Sequence, residues 1–309
     1  PHYYHPEYAM LAMRKGYHVL LEKPAGVYTK QVREMNDVAK KSQAVFSMMF
    51  NQRTNPLYMK TKDLVTSGEL GELKRTIWII TDWYRPQSYY DAGGWRATWK
   101  GEGGGVLLNQ DPHQLDLWQW ICGMPSSVQS FCYFGKHHEI EVEDDVTAFV
   151  EFENGATGVF VTSTGEAPGT NRLEISGDQG QIVIENDILR FRRLRTPERQ
   201  FNKEFKGGFG QPECWDMIIP VSENNPKHKG ITQNFVNAII KGEPLIAPGI
   251  EGINSLTLSN AMLLSSWENR KITLPMDEEL FLRILNEKIE NSKFIKQVNT
   301  VKLDTSNTY

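Results

Sequence analysis

Two short apolar runs, YHVLL at 17–21 and AVFSMMF at 44–50, bracket a helical pattern at 29–41, and that order leaves few folds open. A strand apolar on both faces must be covered on both sides. Strand–helix–strand of this kind therefore reads as a parallel sheet between helical layers. Val32, Met35, Val38 and Ala39 give the helix its apolar face, and Thr29 stands where an N-cap is expected. A helix at 6–15 closed by Gly16 precedes this unit, and one at 56–67 closed by Gly68 follows it.

From residue 73 the texture changes. Runs at 73–81, 127–134, 145–153, 156–164, 171–177, 180–185 and 188–194 are rich in Val, Ile, Thr and Phe, with Asn154-Gly155 as a tight hairpin and a turn at 177–180. They predict one large, mostly antiparallel sheet. Residues 195–230, with GGFG and several prolines, read as loop, and helices are expected at 231–241, 251–269 and 278–290 before a polar tail that frays.

A net charge of −4 with acid and base interspersed offers no footprint for nucleic acid or a membrane surface. No apolar run approaches the ~18 residues of a membrane span. Cys122, Cys132 and Cys214 lack metal-ligand spacing and suggest reduced thiols in a cytoplasm. The chain opens on proline, without a signal-peptide pattern, and its first turns read as the middle of an α/β domain.

Chemistry concentrates in two places. GEGGGVLLNQDPHQLDLWQWICG at 101–123 puts Asn109, His113 and Asp116 on one face if the segment is a single helix. Pro112 places His113 in the first turn, where a neutral imidazole is favoured. The alternative is a core histidine bonded to Asp116. The glycines lack phosphate-loop spacing and read as a lead that brings backbone close to a ligand. Glu22-Lys23-Pro24 follows a buried strand, where ligand crevices of parallel sheets lie. Burial there would lower the Lys23 pKa; the alternative is a Glu22–Lys23 surface pair. Six of eight tryptophans fall between 78 and 120, and Tyr84 and Trp95 lie in a turn-rich stretch whose aromatic walls suit polyhydroxylated ligands as well as protein partners. Trp118 reads as core. EIEVEDD at 139–145, preceded by His137-His138, reads as a solvated strand edge, not a metal site.

HVLLEKP followed by GGGVLLNQDPHQLDL resembles the glucose–fructose oxidoreductase/inositol dehydrogenase/rhizopine-catabolism (Gfo/Idh/MocA) family. PHYYHPEYAMLAMRKG and the segment from ITQNFVNAIIKGEPL to ENRKITLP extend the likeness over nearly the whole chain. The resemblance implies an α/β protein: the C-terminal part of a Rossmann domain (1–55), then an α+β domain with a large open sheet (56–309) for substrate and oligomerisation. It implies a catalytic pair, Lys23 and His113, and substrate contacts by Arg53, Asn109 and Asp116, to which the aromatic stretch adds Tyr84 and Trp95. Asn109 stands where the family commonly has aspartate; an amide cannot take up a proton in a relay needing a carboxylate there, and the departure reads as a subfamily trait. Pro1, His2, His5, Glu22, Lys23 and Pro24 would line the nicotinamide of NAD or NADP. The G-x-G-x-x-G fingerprint is not in the sequence, so two to three further βα units are expected before Pro1.

The resulting expectation is an NAD(P)-dependent oxidoreductase of the cytoplasm, without metal, acting on a secondary alcohol of a sugar, cyclitol or glycoside. It would form a homodimer or homotetramer through its sheet. The rivals are a glycoside-cleaving enzyme that oxidises transiently and eliminates, and a sugar sensor without turnover. A cis Lys23–Pro24 bond is also expected.

Overall fold

The computed structural model describes residues 1–296; the expectation for the polar tail falls in part outside the described residues. After α1 (His5–Arg14), β1 (Val19–Leu21) pairs in parallel with β2 (Phe46–Met48) across α2 (Thr29–Lys41), as the apolar runs predict. The strands are shorter than the runs. Tyr17 stays exposed, and the His18 ring accepts the Val45 N–H.

Thr29 does not cap α2. It is the first helical residue, with Tyr28 at the N-cap position, and its N–H goes to Asn260 Oδ1 at 3.2 Å. Asn260 lies on a helix far along the chain, and its Nδ2 donates to the Val27 carbonyl at 3.0 Å. A tertiary contact here replaces the local side chain that propensity favours.

Helix α3 (Pro56–Thr66) is capped by Asn55, whose side chain accepts the Leu57 N–H, and leads into β3 (Leu73–Ile80). Then come α4 (Gln87–Asp91), α5 (Val106–Asn109), α6 (Pro112–Cys122), β4 (Ser127–Phe134), β5 (Glu143–Glu151), β6 (Thr157–Ser163), β7 (Asn171–Gly177), β8 (Gly180–Glu185) and β9 (Ile188–Leu194). After α7 (Glu198–Glu204) and β10 (Cys214–Ile218), the chain closes with α8 (Lys227–Lys241), α9 (Gly252–Glu268), β11 (Ile272–Thr273) and α10 (Glu278–Glu290). Nine strands form one sheet in the order β10-β9-β8-β7-β3-β6-β5-β4-β11, antiparallel except for β3 beside β6. The stretch 195–230 is therefore not all loop. β10 pairs with β9 from Cys214↔Leu194 to Ile218↔Arg190, a short strand whose side chains, apolar apart from Asp216, lie largely exposed.

One face of the sheet is core. Trp78, Phe160, Ala148 and Val128 are buried there, and Trp118 of α6 stacks near Phe160 with its Nε1 donating to Thr76 Oγ1 at 3.0 Å. Helix α9 lies along β4, where Ser265 Oγ accepts the Ser130 N–H. The opposite face leaves Phe131, Tyr133 and Phe149 exposed.

Candidate functional site

Where β1 ends, the chain turns through Glu22-Lys23-Pro24, and the Lys23–Pro24 bond is cis as expected. Lys23 Nζ donates to the Asn109 carbonyl, 86 residues on in the chain, at 2.7 Å. His5 secures the same turn by donating from Nδ1 to the Pro24 carbonyl at 2.7 Å.

Asn109 ends α5, and His113 is the second residue of α6; the single helix expected over this segment is broken by Gln110 and Asp111. Pro112 is the cause. It has no N–H to continue the ladder, and it begins a helix more readily than it continues one. Asn109 therefore does not share a helical face with His113 and Asp116. Its Nδ2 turns to Tyr89 Oη and Glu102.

The glycines before α5 serve packing. A Cβ on Gly105 would lie 1.9 Å from the Glu143 carbonyl oxygen, and Gly103, at φ +88°, would drive one into Val27. Glu143 Oε1 accepts the N–H groups of Gly105 (2.8 Å) and Leu107 (3.1 Å). This corrects two expectations: the glycine lead approaches protein, and the acidic run is no solvated edge. Glu143 and Asp144 are fully buried, Asp144 taking the N–H groups of Lys136, His137 and His138 and the His138 ring. Among the described residues no His/Cys/Asp/Glu group has the arrangement of a metal site.

Burial governs the charges. His113 is 4% exposed, and burial, helped by Lys23 and His228, holds its pKa well below the ordinary value, so the imidazole is neutral. Burial, more than the helix dipole, secures that state. Burial also lowers Lys23 to about 8 against the raising influence of Glu22, Glu102 and Asp111. It lifts Glu102 and Glu143 to about 7 and Asp111 to about 8. His2, packed edge-on to His5 and Trp95, falls to about 3 with Nδ1 unpartnered. Sequence reasoning missed Glu102, Asp111 and Glu143 as members of this site. The available signal was a glutamate within a run of glycines and an aspartate two residues before the histidine.

The structure pairs Arg53 with Asp116 beneath the site. Arg53 Nε and Nη2 bind the two Asp116 oxygens at 2.8 and 2.7 Å, and Nη1 reaches Glu251 and the Ile246 carbonyl. The guanidinium lies over the rings of Phe50 and Trp120. Burial opposes its charge, but Asp116 and Glu251 outweigh burial and raise its pKa. Tyr84 is exposed, Pro1 and Glu22 are exposed, and Trp95 is half-buried. Trp95 joins Tyr3, Tyr28, Gln31 and Lys100 around a cavity of about 390 Å³. A cavity of about 440 Å³ between Arg172, Glu185, Arg190 and Asp216 lies on the far strands, away from these residues.

Residues 1–50 match the model described as "Oxidoreductase family, NAD-binding Rossmann fold", and residues 58–183 match the GFO/IDH/MocA C-terminal domain. The chain is 30% identical to the D-glucoside 3-dehydrogenase of Escherichia coli over 172 residues, 50% of this chain and 47% of that protein. It is 27% identical to the levoglucosan dehydrogenase of Pseudarthrobacter phenanthrenivorans over 211 residues, 60% of this chain and 53% of that one. The chain thus spans about half the length of the curated relatives it matches. Among solved structures, the WlbA dehydrogenase from Chromobacterium violaceum, in complex with NADH and UDP-GlcNAcA, superposes with a TM-score of 0.75 at 27% identity. That match covers 90% of this chain and 76% of the other.

Proposed function

The chain belongs to the Gfo/Idh/MocA oxidoreductase family, and from that premise we propose that it transfers hydride between a nicotinamide and a secondary alcohol or ketone of a sugar, cyclitol or glycoside. The observation that carries the reading is the convergence on Asn109–His113 of a strand-end ammonium and a neutral, buried imidazole in a first helical turn.

The donor set fits a nicotinamide end. His2 Nδ1 is a buried ring nitrogen without a partner, beside the turn that carries Lys23. His2, His5, Glu22, Lys23 and Pro24, with Pro1, would hold that end of NAD or NADP, which when bound supplies the hydride acceptor. His113 takes the hydroxyl proton as general base, a role for which a neutral imidazole is required. Lys23, as ammonium, positions and polarises the substrate oxygen. Tyr84, Trp95 and the Asn109 amide address the remaining hydroxyls. Arg53 and Asp116, fully engaged with each other, act by fixing the face of α6 that His113 shares.

A screen of D-glucosides, inositols and anhydrosugars with NAD and NADP, read by nicotinamide absorbance on the full-length protein, tests this. Reduction of the cofactor by one of these classes, abolished in Lys23→Met and His113→Ala, is the expected result. Sugar consumption without net cofactor reduction would point instead to oxidation and elimination.

We also propose a cytoplasmic homodimer or homotetramer built on the open sheet face. Phe131, Tyr133 and Phe149 are exposed there, with Val159 and Ile77 beside Phe149 along the ladder. No helix among the described residues is long and apolar enough to cross a membrane. Light scattering at micromolar concentration should give a multiple of the protomer mass, and Phe149→Asp should reduce it to one.

A further inference from the structure

Asn109 is held at three of its polar groups and keeps a fourth in reserve. At the end of α5 its backbone carbonyl accepts Lys23 Nζ at 2.7 Å. Its Nδ2 donates to a carboxylate oxygen of Glu102 and to Tyr89 Oη, the latter at 3.3 Å. A primary amide carries two hydrogens on nitrogen, so both are committed. Its Oδ1 takes no hydrogen bond from any described residue, yet it is not sealed from solvent.

The neighbours dictate which way this amide faces. An ionised carboxylate only accepts, so the nitrogen and not the oxygen must meet Glu102. Glu102 is buried, its other oxygen accepts the Ala97 N–H at 2.5 Å, and its own N–H goes to the Thr98 carbonyl at 2.9 Å. The loop thus grips it by both main chain and side chain. Tyr89 Oη is an acceptor on this side as well, since it also takes Arg96 Nη1 at 2.7 Å and Gln110 Nε2 at 3.3 Å. Burial lifts Glu102 to about 7 against the Ala97 N–H and the charges of Arg96 and Lys296. At pH 8 the acceptor-only form therefore prevails.

We propose that Glu102 is a positioning residue that, with Tyr89, makes Asn109 an acceptor-only reader of one substrate hydroxyl, the neighbour of the oxygen that Lys23 addresses. Asn109 itself sets that spacing, holding the lysine amine with its backbone and offering Oδ1 with its side chain. An aspartate at 109 would set two carboxylates against each other. The amide instead gives Glu102 a donor and keeps an acceptor for the ligand. The substrate class is thereby narrowed to polyols with a free hydroxyl beside the oxidised carbon. A deoxy, O-methyl or keto group at that place offers Oδ1 no hydrogen.

The inference rests on the hydride-transfer reading, and two readouts keep their failures apart. The first needs no turnover. In full-length protein labelled with ¹⁵N at asparagine, the Asn109 side-chain signals are identified by their loss in Asn109→Asp. At pH 8 their hydrogens should exchange with water at least about tenfold more slowly than those of the exposed Asn224. Glu102→Gln should remove most of that protection, because one carboxamide oxygen cannot serve both Ala97 and Asn109. Tyr89→Phe should remove less, and it serves if Glu102→Gln does not fold. The second readout is kcat/KM for methyl β-D-glucopyranoside and each of its monodeoxy analogues. One analogue, altered at a carbon adjoining the oxidised one, should be disfavoured by about 10- to 100-fold. In Glu102→Gln that penalty should shrink below about threefold, because only the hydroxylated sugar loses a contact; a purely structural role would slow both sugars alike. Asn109 hydrogens exchanging as fast as those of Asn224, or no penalty at either adjoining carbon, overturn the inference. Slow exchange lost in Glu102→Gln, with no cofactor reduction by any sugar, upholds the amide's orientation and overturns the hydride-transfer reading instead.

Discussion

Two buried polar clusters lie within one helix of each other and are built on opposite principles. Around Arg53 the hydrogen-bonding is nearly spent: two bonds to Asp116, others to Glu251 and Ile246, with aromatic rings of Phe50 and Trp120 in contact. Around Asp111 it is less spent, with Thr162 beside the carboxylate but His113 Nδ1 and one oxygen of Glu143 lacking partners. A saturated cluster holds a helix in place and has nothing left for a ligand. An unsaturated one is unstable by itself and gains whatever substrate or proton arrives. In the proposed reading, the first kind supports and the second does the chemistry.

The sharpest way to break this contrast is to exchange their expected phenotypes. His113→Ala should lose about 10²- to 10⁴-fold in kcat/KM with little change in the unfolding midpoint. A variant that unfolds instead would make His113 a structural residue. Arg53→Met should do the reverse. It strands Asp116 as a buried, unpaired carboxylate, a loss of about 3–5 kcal/mol in denaturant unfolding, and a loss below about 1 kcal/mol would remove the supporting role.

Asp111→Asn should stabilise, by roughly 1–3 kcal/mol at pH 8, because it removes a charge that burial disfavours more than its neighbours favour it. The sign follows from linkage. The folded pKa of Asp111, about 8, lies above the unfolded value. The native state therefore binds more protons between roughly pH 4 and 8, and stability falls as pH rises through that window. The melting gap between Asp111→Asn and the parent protein should open from pH 4 to pH 8; a constant gap would assign it to packing. The smallest effect belongs to the sheet core. Trp118→Phe forfeits the bond to Thr76, about 1 kcal/mol, without altering any pH profile.

The support was harder to read in the sequence than the proposed catalytic pair. Lys23 and His113 stand out because strand-end and first-turn positions leave local marks, in EKP and in the proline before the histidine. Glu143 left a misleading mark. In an acidic run it resembles a wet edge, and only the pairing of β5 into the sheet turns it inward to hold the glycine loop. The break between α5 and α6 was written in Pro112 but outweighed by the helical spacing of Asn109, His113 and Asp116. β10 is a short run, apolar apart from Asp216, set among glycines and prolines, and the loop-like surroundings outweighed that signal.

Asn260 gives the turn behind Lys23 a timetable. Its amide closes on both Val27 and Thr29, from a position 231 residues downstream of Thr29. At a synthesis rate of about 5–20 residues per second, that turn emerges from the ribosome roughly ten to fifty seconds before its clamp exists. Until then the carbonyl of Val27 and the first N–H of the helix are left to water, and the loop bearing the lysine has no fixed exit. A layer made early is finished by a helix made much later, so a chain halted before α9 would leave the turn bearing Lys23 without its clamp.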